Sequence, residues 1–248
     1  MEILSYRWEE GGKVKEETLK KHIEHALELV RDVEKSRIGR YARKLGFSDF
    51  SRAIRLSVIF HDSGKIFYQR PWDRLSFRGH EYLSTFIADY FFRELVKFEL
   101  KKIENLDIMR NICIFAIFFH HHAMNVRLRA PKVDERDVEN GIKMFGRFHD
   151  DVESMLNGSE IEALDRALRL VAERRGAIAN STKKYVEGVV REVWFSLNRD
   201  AKLKKLAYLN LDALIVADNI SAHENRGGGK RRFLKVMEEF RELYLKPL

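Results

Sequence analysis

With 248 residues, 45% of them apolar and 34% charged, the chain is long enough to bury one large core and too apolar for a disordered or low-complexity protein. Lys and Arg total 46 against 38 Asp and Glu, a net charge of +8 that favours polyanionic partners. The only cysteine, Cys113, excludes an internal disulfide and any four-cysteine zinc site.

The N-terminal MEILSYRWEEGGK has strand or turn character without the apolar core of an export signal, and no run of alternating strands follows it. Thr18 to Lys35 places Leu19, Ile23, Ala26, Val30 and Val33 on one face, the spacing of an amphipathic helix. Ser51 to Phe60 predicts a second helix, and His80 opens a third running to about Lys102. Met109 to His122 is apolar around most of its circumference, which predicts a central helix. Its strongly apolar part, Ile112 to Phe119, is far shorter than the ~20 residues that cross a bilayer, so a cytoplasmic protein is expected. Further helices are predicted at Asp134 to Leu156, Glu160 to Arg174, Thr182 to Leu197 and Lys202 to Glu224, with a last one after Arg231. Only three prolines interrupt the chain, and the clearest loops are Gly64 to Gly79 and the Gly227 to Gly229 run. No Pro- or Ser-rich linker divides it, so the expected fold is one all-α domain spanning 1–248. Gln69 is the only glutamine among abundant Lys, Arg and Glu, a composition of the thermophile kind.

The placement of the histidines matters more than their number. At about 100° per residue, His22 lies within the Leu19/Ile23/Ala26/Val30 stripe and His25 at its edge. His61 follows Ile54 and Val58 at helical spacing, and His80 precedes Leu83, Ile87 and Phe91 in the same way. His120, His121 and His122 end the most apolar helix. Asp62 adjoins His61, and Asp218 shares a face with Leu211, Leu214 and Ile215. Asp212 falls instead on a polar stripe with Asn219 and His223. One inward histidine is ordinarily a hydrogen-bonded core residue. Several imidazoles and buried carboxylates together need a compensating cation, because an unpaired buried carboxylate costs several kcal/mol.

His61-Asp62-Ser63-Gly64-Lys65, HDSGK, resembles the defining motif of the HD-domain metal-dependent phosphohydrolases. TLKKH ending at His22 precedes it; RGHEYLSTFIA with His80, AIFFHH with His120 and His121, and LIVADNISAHE with Asp218 follow. In this order the series is similar to the stand-alone HD nuclease subunit of type I CRISPR interference. The likeness runs from about Thr18 to Glu224. A second HD pair, His149-Asp150, lacks the following Gly-x-Lys and reads as a surface pair.

The resemblance implies an HD-type helical bundle with a metal site in its core. Asp62 would bridge two cations, with His22, His61 and Asp218 on the first and His80, His120 and His121 on the second. His121 and His122 form the alternative pair, although the I-x-x-H-H spacing from Ile117 favours the earlier one. Two cations would activate a water and stabilise the attacking and leaving oxygens of an in-line displacement. Lys65 would serve the scissile phosphate or stabilise charge in the transition state, the ordinary alternative being a surface lysine that caps the helix, and Ser221, one turn after Asp218, would orient a ligand or touch the substrate. Imidazole-rich ligation favours Mn, Fe, Co or Ni over Mg, and activity should fall below about pH 6 as the imidazoles protonate.

The implied function is metal-dependent cutting of single-stranded DNA, or RNA, in CRISPR antiviral defence. A separate helicase subunit and the crRNA-guided surveillance complex would be partners, because the chain has no phosphate-binding Gly-x-x-x-x-Gly-Lys-Ser/Thr loop of its own. Arg127, Arg129, Lys132, Arg226, Lys230, Arg231 and Arg232 would hold the nucleic-acid backbone. Phe67, Tyr68 and Trp72 either stack on bases or close the core. Two other readings are an HD phosphohydrolase of nucleotides or cyclic nucleotides, and a non-catalytic metal-stabilised interaction module.

Overall fold

The computed structural model describes residues 2–11, 13–69, 77–100, 103–121, 131–227 and 233–247. Its helices are α1 (Leu19–Val30), α2 (Arg37–Lys44), α3 (Phe50–Phe60), α4 (His80–Phe98), α5 (Ile103–Phe119) and α6 (Glu135–Lys143). They continue with α7 (Phe145–Val152), α8 (Gly158–Glu173), α9 (Arg175–Arg199), α10 (Ala201–Asn225) and α11 (Leu234–Phe240). The fold is an all-α bundle. Among the described residues the only sheet is an antiparallel hairpin of β1 (Leu4–Glu10) and β2 (Lys13–Thr18).

α5 is central because every residue from Ile112 to Phe118 is apolar or sulfur-bearing and buried. It packs against α10, α4, α3 and α9, so each side of it meets a neighbour. Fully burying a Leu, Ile or Phe side chain contributes about 1.5–3 kcal/mol, which makes this helix the natural nucleus of the core. α1 and α3 lie against α10, and α8 covers α4 on the other side.

Several boundaries differ from the periodicity. The segment expected as one helix from Thr18 to Lys35 ends at Val30, and a short 3₁₀ turn covers Val33–Lys35. Ser36 then caps α2 by accepting from the Gly39 amide. α2 was not expected, because its eight residues bury only Ile38, Gly39 and Ala42, too few to define a period. The expected Asp134–Leu156 helix is two helices meeting at Met144. Gly141 lies against the Phe67 ring, where a Cβ would come within 2.2 Å of a ring carbon, so α6 sits on the HDSGK turn only because that residue has no side chain. α5 and α9 each begin earlier than their apolar patterns, at Ile103 and Arg175.

Buried charge joins the helices that matter below. Asp89 on α4 is fully buried and accepts from Arg93 (2.8 Å), from Arg110 of α5 (2.8 Å) and from the Tyr185 hydroxyl of α9 (2.5 Å). The hairpin is strapped to the bundle by Gln69, whose amide accepts from the Leu4 N–H and donates to the Leu4 and Lys65 carbonyls, all at 2.9 Å.

Candidate metal centre

Five segments converge on one buried point. α1 brings His22, and the C-terminal end of α3 brings His61 and Asp62. His80 is the first residue of α4, His120 and His121 form the turn after α5, and α10 brings Asp218. Their ligand-capable atoms form two groups, each with all atoms within 4.8 Å of one another: His22, His61, Asp62 and Asp218, and Asp62, His80, His120 and His121.

Asp62 belongs to both groups, and its two oxygens divide between them. Oδ2 lies 3.4 Å from His61 Nε2 and 3.6 Å from His22 Nε2, whereas Oδ1 lies 2.8 Å from His80 Nε2. Asp218 Oδ1 closes the first group at 3.1 Å from His22 Nε2 and 3.6 Å from His61 Nε2. The rings of His61 and His120, with centres 5.3 Å apart, link the groups edge to face. His80 touches both His120 and His121, at 5.5 and 5.1 Å between centres.

The second nitrogen of each ring tests whether these residues suit a cation. Nδ1 of His61, His80 and His120 points at the carbonyl of Val58, Phe77 and Ile117, at 2.7, 2.6 and 2.6 Å. Each contact is three residues back along the chain, so local helical geometry fixes the ring. With the proton on Nδ1, each Nε2 presents a lone pair, and none of these three buried Nε2 atoms makes a hydrogen bond. Lone pairs aimed at one another and at carboxylate oxygens repel unless a cation lies between them, so the donor set fits divalent metal. The chemistry is imidazole-rich, as transition metals prefer.

Charge differs between the groups. Burial and then the neighbouring charges of His121, His61 and His80 push His120 well below its ordinary pKa, and burial and His80 lower His121 to about 3. Both are therefore neutral at any physiological pH, the form in which an imidazole can ligate a metal. His22 goes the other way. Burial opposes its charge, yet hydrogen bonds to Asp218 (3.1 Å) and Glu17 (3.1 Å) outweigh it and raise the pKa to about 9. Burial likewise opposes ionisation of Asp62 and Asp218. Lys65, His61 and His80 hold the first well below the usual carboxylate range, and His22 and His61 hold the second there.

Because His22 must lose its Nε2 proton to ligate, uptake at the first group should tighten by about tenfold per pH unit from pH 7 to about 9 and level off above. Glu17→Gln removes one carboxylate that retains this proton, so the same rise should occur at lower pH. Metal titrations at a series of pH values test both, and superimposable profiles for the two proteins would refute the assignment.

Glu17, the penultimate residue of β2, escaped the sequence reading, since no pattern distinguishes it from Glu16. It is buried, holds His22 Nδ1 and accepts from Asn225 (2.8 Å) and Arg226 (2.9 Å). The hairpin thus supplies an outer carboxylate that orients the imidazole of His22, a candidate ligand. Ser221 donates to the His22 carbonyl at 3.0 Å and so positions α1.

Lys65 is not a surface residue. Its ammonium is buried, 2.5 Å from Asp62 Oδ2 and 3.2 Å from the Ser5 hydroxyl. Gly64 packs directly on the start of α4, where a Cβ would meet the His80 carbonyl at 2.3 Å and the Ser84 nitrogen at 2.6 Å. Both obstacles are backbone, so Gly64→Ala should push His80 away from Asp62 and weaken metal binding at the second group by at least about tenfold. Calorimetric metal titration would read this, and unchanged stoichiometry and affinity would count against the described packing.

Phe67 and Tyr68 are buried and close the core. Arg226 is engaged by Glu17 and the Tyr6 ring, and Lys132 is exposed. Trp72, His122, Arg127, Arg129, Lys230, Arg231 and Arg232 lie outside the described residues. His25 pairs with Glu224 at 2.9 Å. His149 and the exposed Asp150 take no part in either ligand group. Comparison of the chain with protein-family models, with curated proteins and with solved structures returned no match.

Proposed function

We propose that the chain is a divalent-cation-dependent hydrolase of phosphodiester bonds, a nuclease of the HD type that cuts single-stranded DNA or RNA in CRISPR defence. The observation that carries the reading is the pair of four-residue ligand groups sharing Asp62, one carboxylate oxygen to each. Cations held there would polarise a water and offset the charge on the attacking and leaving oxygens of a displacement at phosphorus. Manganese, nickel, cobalt or iron suits the imidazoles better than magnesium, and two ions suit the two groups.

The remaining work falls to the chain itself. Backbone carbonyls hold the rings of His61, His80 and His120 so that Nε2 faces inward. Lys65 positions Asp62 through Oδ2, and any service to the phosphate would be through this pair. Asp218 and His121 are the least buried members, so a phosphate would enter from their side. The helicase subunit and the crRNA-guided complex would deliver the strand.

The test incubates the purified chain with labelled single-stranded DNA, duplex DNA and dNTPs in the presence of Mn, Ni or Mg, with Asp62→Ala as control. Strand cutting that is lost in the control is the expected result. Release of phosphate or triphosphate from dNTPs without cutting would instead favour a nucleotide phosphohydrolase. A metal-loaded chain inert towards all of them would indicate an interaction module.

A further inference from the structure

We propose that the surface shared by the C-terminal turns of α5 and α9 and the first turns of α10 is a stacking platform for unpaired bases of the strand. The inference rests on the nuclease reading and adds a strand-binding site outside the metal centre.

Three observations carry it. First, aromatic rings cluster there and remain open to solvent. Trp194 is 40% exposed and Tyr208 41%, and both lean on Phe115, with ring centres 6.1 and 5.2 Å away. The Trp194 and Phe115 planes differ by only 22°. Second, the rings are interleaved with cations. The Lys204 ammonium lies 5.9 Å from the Trp194 ring centre. Arg191, one turn before Trp194, and Lys205, one turn before Tyr208, are exposed. Of the nearby acids, Glu192 is 3.5 Å from Arg110 and Asp212 lies one turn beyond Tyr208. Third, the patch reaches the end of α5 beside the histidine turn. Phe119 touches Trp194, at 6.5 Å between ring centres, and the next two residues are His120 and His121.

Aromatic faces set among Lys and Arg recognise single strands, because every base offers a π-face and every linkage a negative charge. A protein-docking surface is ordinarily depleted in lysine, and a duplex keeps its base faces stacked. The occupant that fits is therefore a single-stranded nucleic acid.

Binding of a short fluorescein-labelled oligothymidine to the uncleaving Asp62→Asn chain tests this by anisotropy and Trp emission. Trp194→Ala and Tyr208→Ala should each weaken binding by about tenfold. Trp194→Phe should retain binding and lose the quench of Trp emission. Metal-dependent hydrolysis of bis(p-nitrophenyl) phosphate, too small to span the centre and the platform, should be the same in Trp194→Ala, Tyr208→Ala and the unmodified chain. Oligonucleotide affinity unaltered by both alanine variants would overturn the platform. So would a Trp194→Ala variant whose only change is its oligomeric mass. Loss of the nuclease reading would show separately, as no diester hydrolysis by the unmodified, metal-loaded chain.

Discussion

Asp62→Asn should abolish paired metal binding and reduce diester hydrolysis by at least about three orders of magnitude, roughly 4 kcal/mol of barrier. The side chain keeps its shape but replaces one carboxylate oxygen with an amide nitrogen that has no lone pair for a cation. Whichever way the amide turns, either the His80 side or the His22/His61 side loses its oxygen. Asparagine is more informative than alanine here. Removing the carboxylate altogether strands the Lys65 ammonium, whose side chain is only 9% exposed, and stranding a buried charge costs about 3–5 kcal/mol. Metal content after dialysis, hydrolysis rate and thermal midpoint should all be measured on both variants. An Asp62→Asn chain that retained two tightly bound ions would remove the basis for the shared-ligand centre.

Asp89→Ala should destabilise the protein by about 3–5 kcal/mol without touching a ligand. Its carboxylate is fully buried, and Arg110, with a side chain 13% exposed, depends on it. Deletion leaves that guanidinium and the Tyr185 hydroxyl short of an acceptor inside the bundle. At about 2–4 °C per kcal/mol for a chain of this size, the melting midpoint should fall by roughly 10 °C. Arg93→Ala provides the contrast. That side chain is 53% exposed, so its contact with the same carboxylate should be worth less than about 1 kcal/mol. Equal losses from the two substitutions would show that burial of Asp89 does not set its importance. Because Asp89 ties α4 to α5, its removal should also weaken metal binding at the group whose histidines those helices carry.

Helix content and the inward direction of the candidate ligands were legible in the sequence because both follow local rules. A side chain's direction on a helix repeats every 3.6 residues, so the inward histidines and Asp218 were apparent from their apolar neighbours. Short elements were legible only in part: the strand or turn character of the first thirteen residues covers β1, whereas β2 carries mixed charge and α2 is too brief to show a period. Nor did residue spacing locate the break at Met144, which arises where α6 turns to rest on Phe67.

Partnership between distant residues was decided only by the packed bundle. The contact of Lys65 with Asp62 and Ser5 is one such partnership, made because the turn after α3 folds its side chain back toward β1. Glu17 meets His22 through the hairpin, and Phe119 brings an aromatic surface to the histidine turn. Residue type and helical phase determined what could ligate, since both are properties of a few neighbouring residues. Which oxygen of Asp62 faces which ring, and which charges compensate it, depended on contacts between segments up to about two hundred residues apart, such as His22 with Asp218. Those contacts exist only once the core has closed.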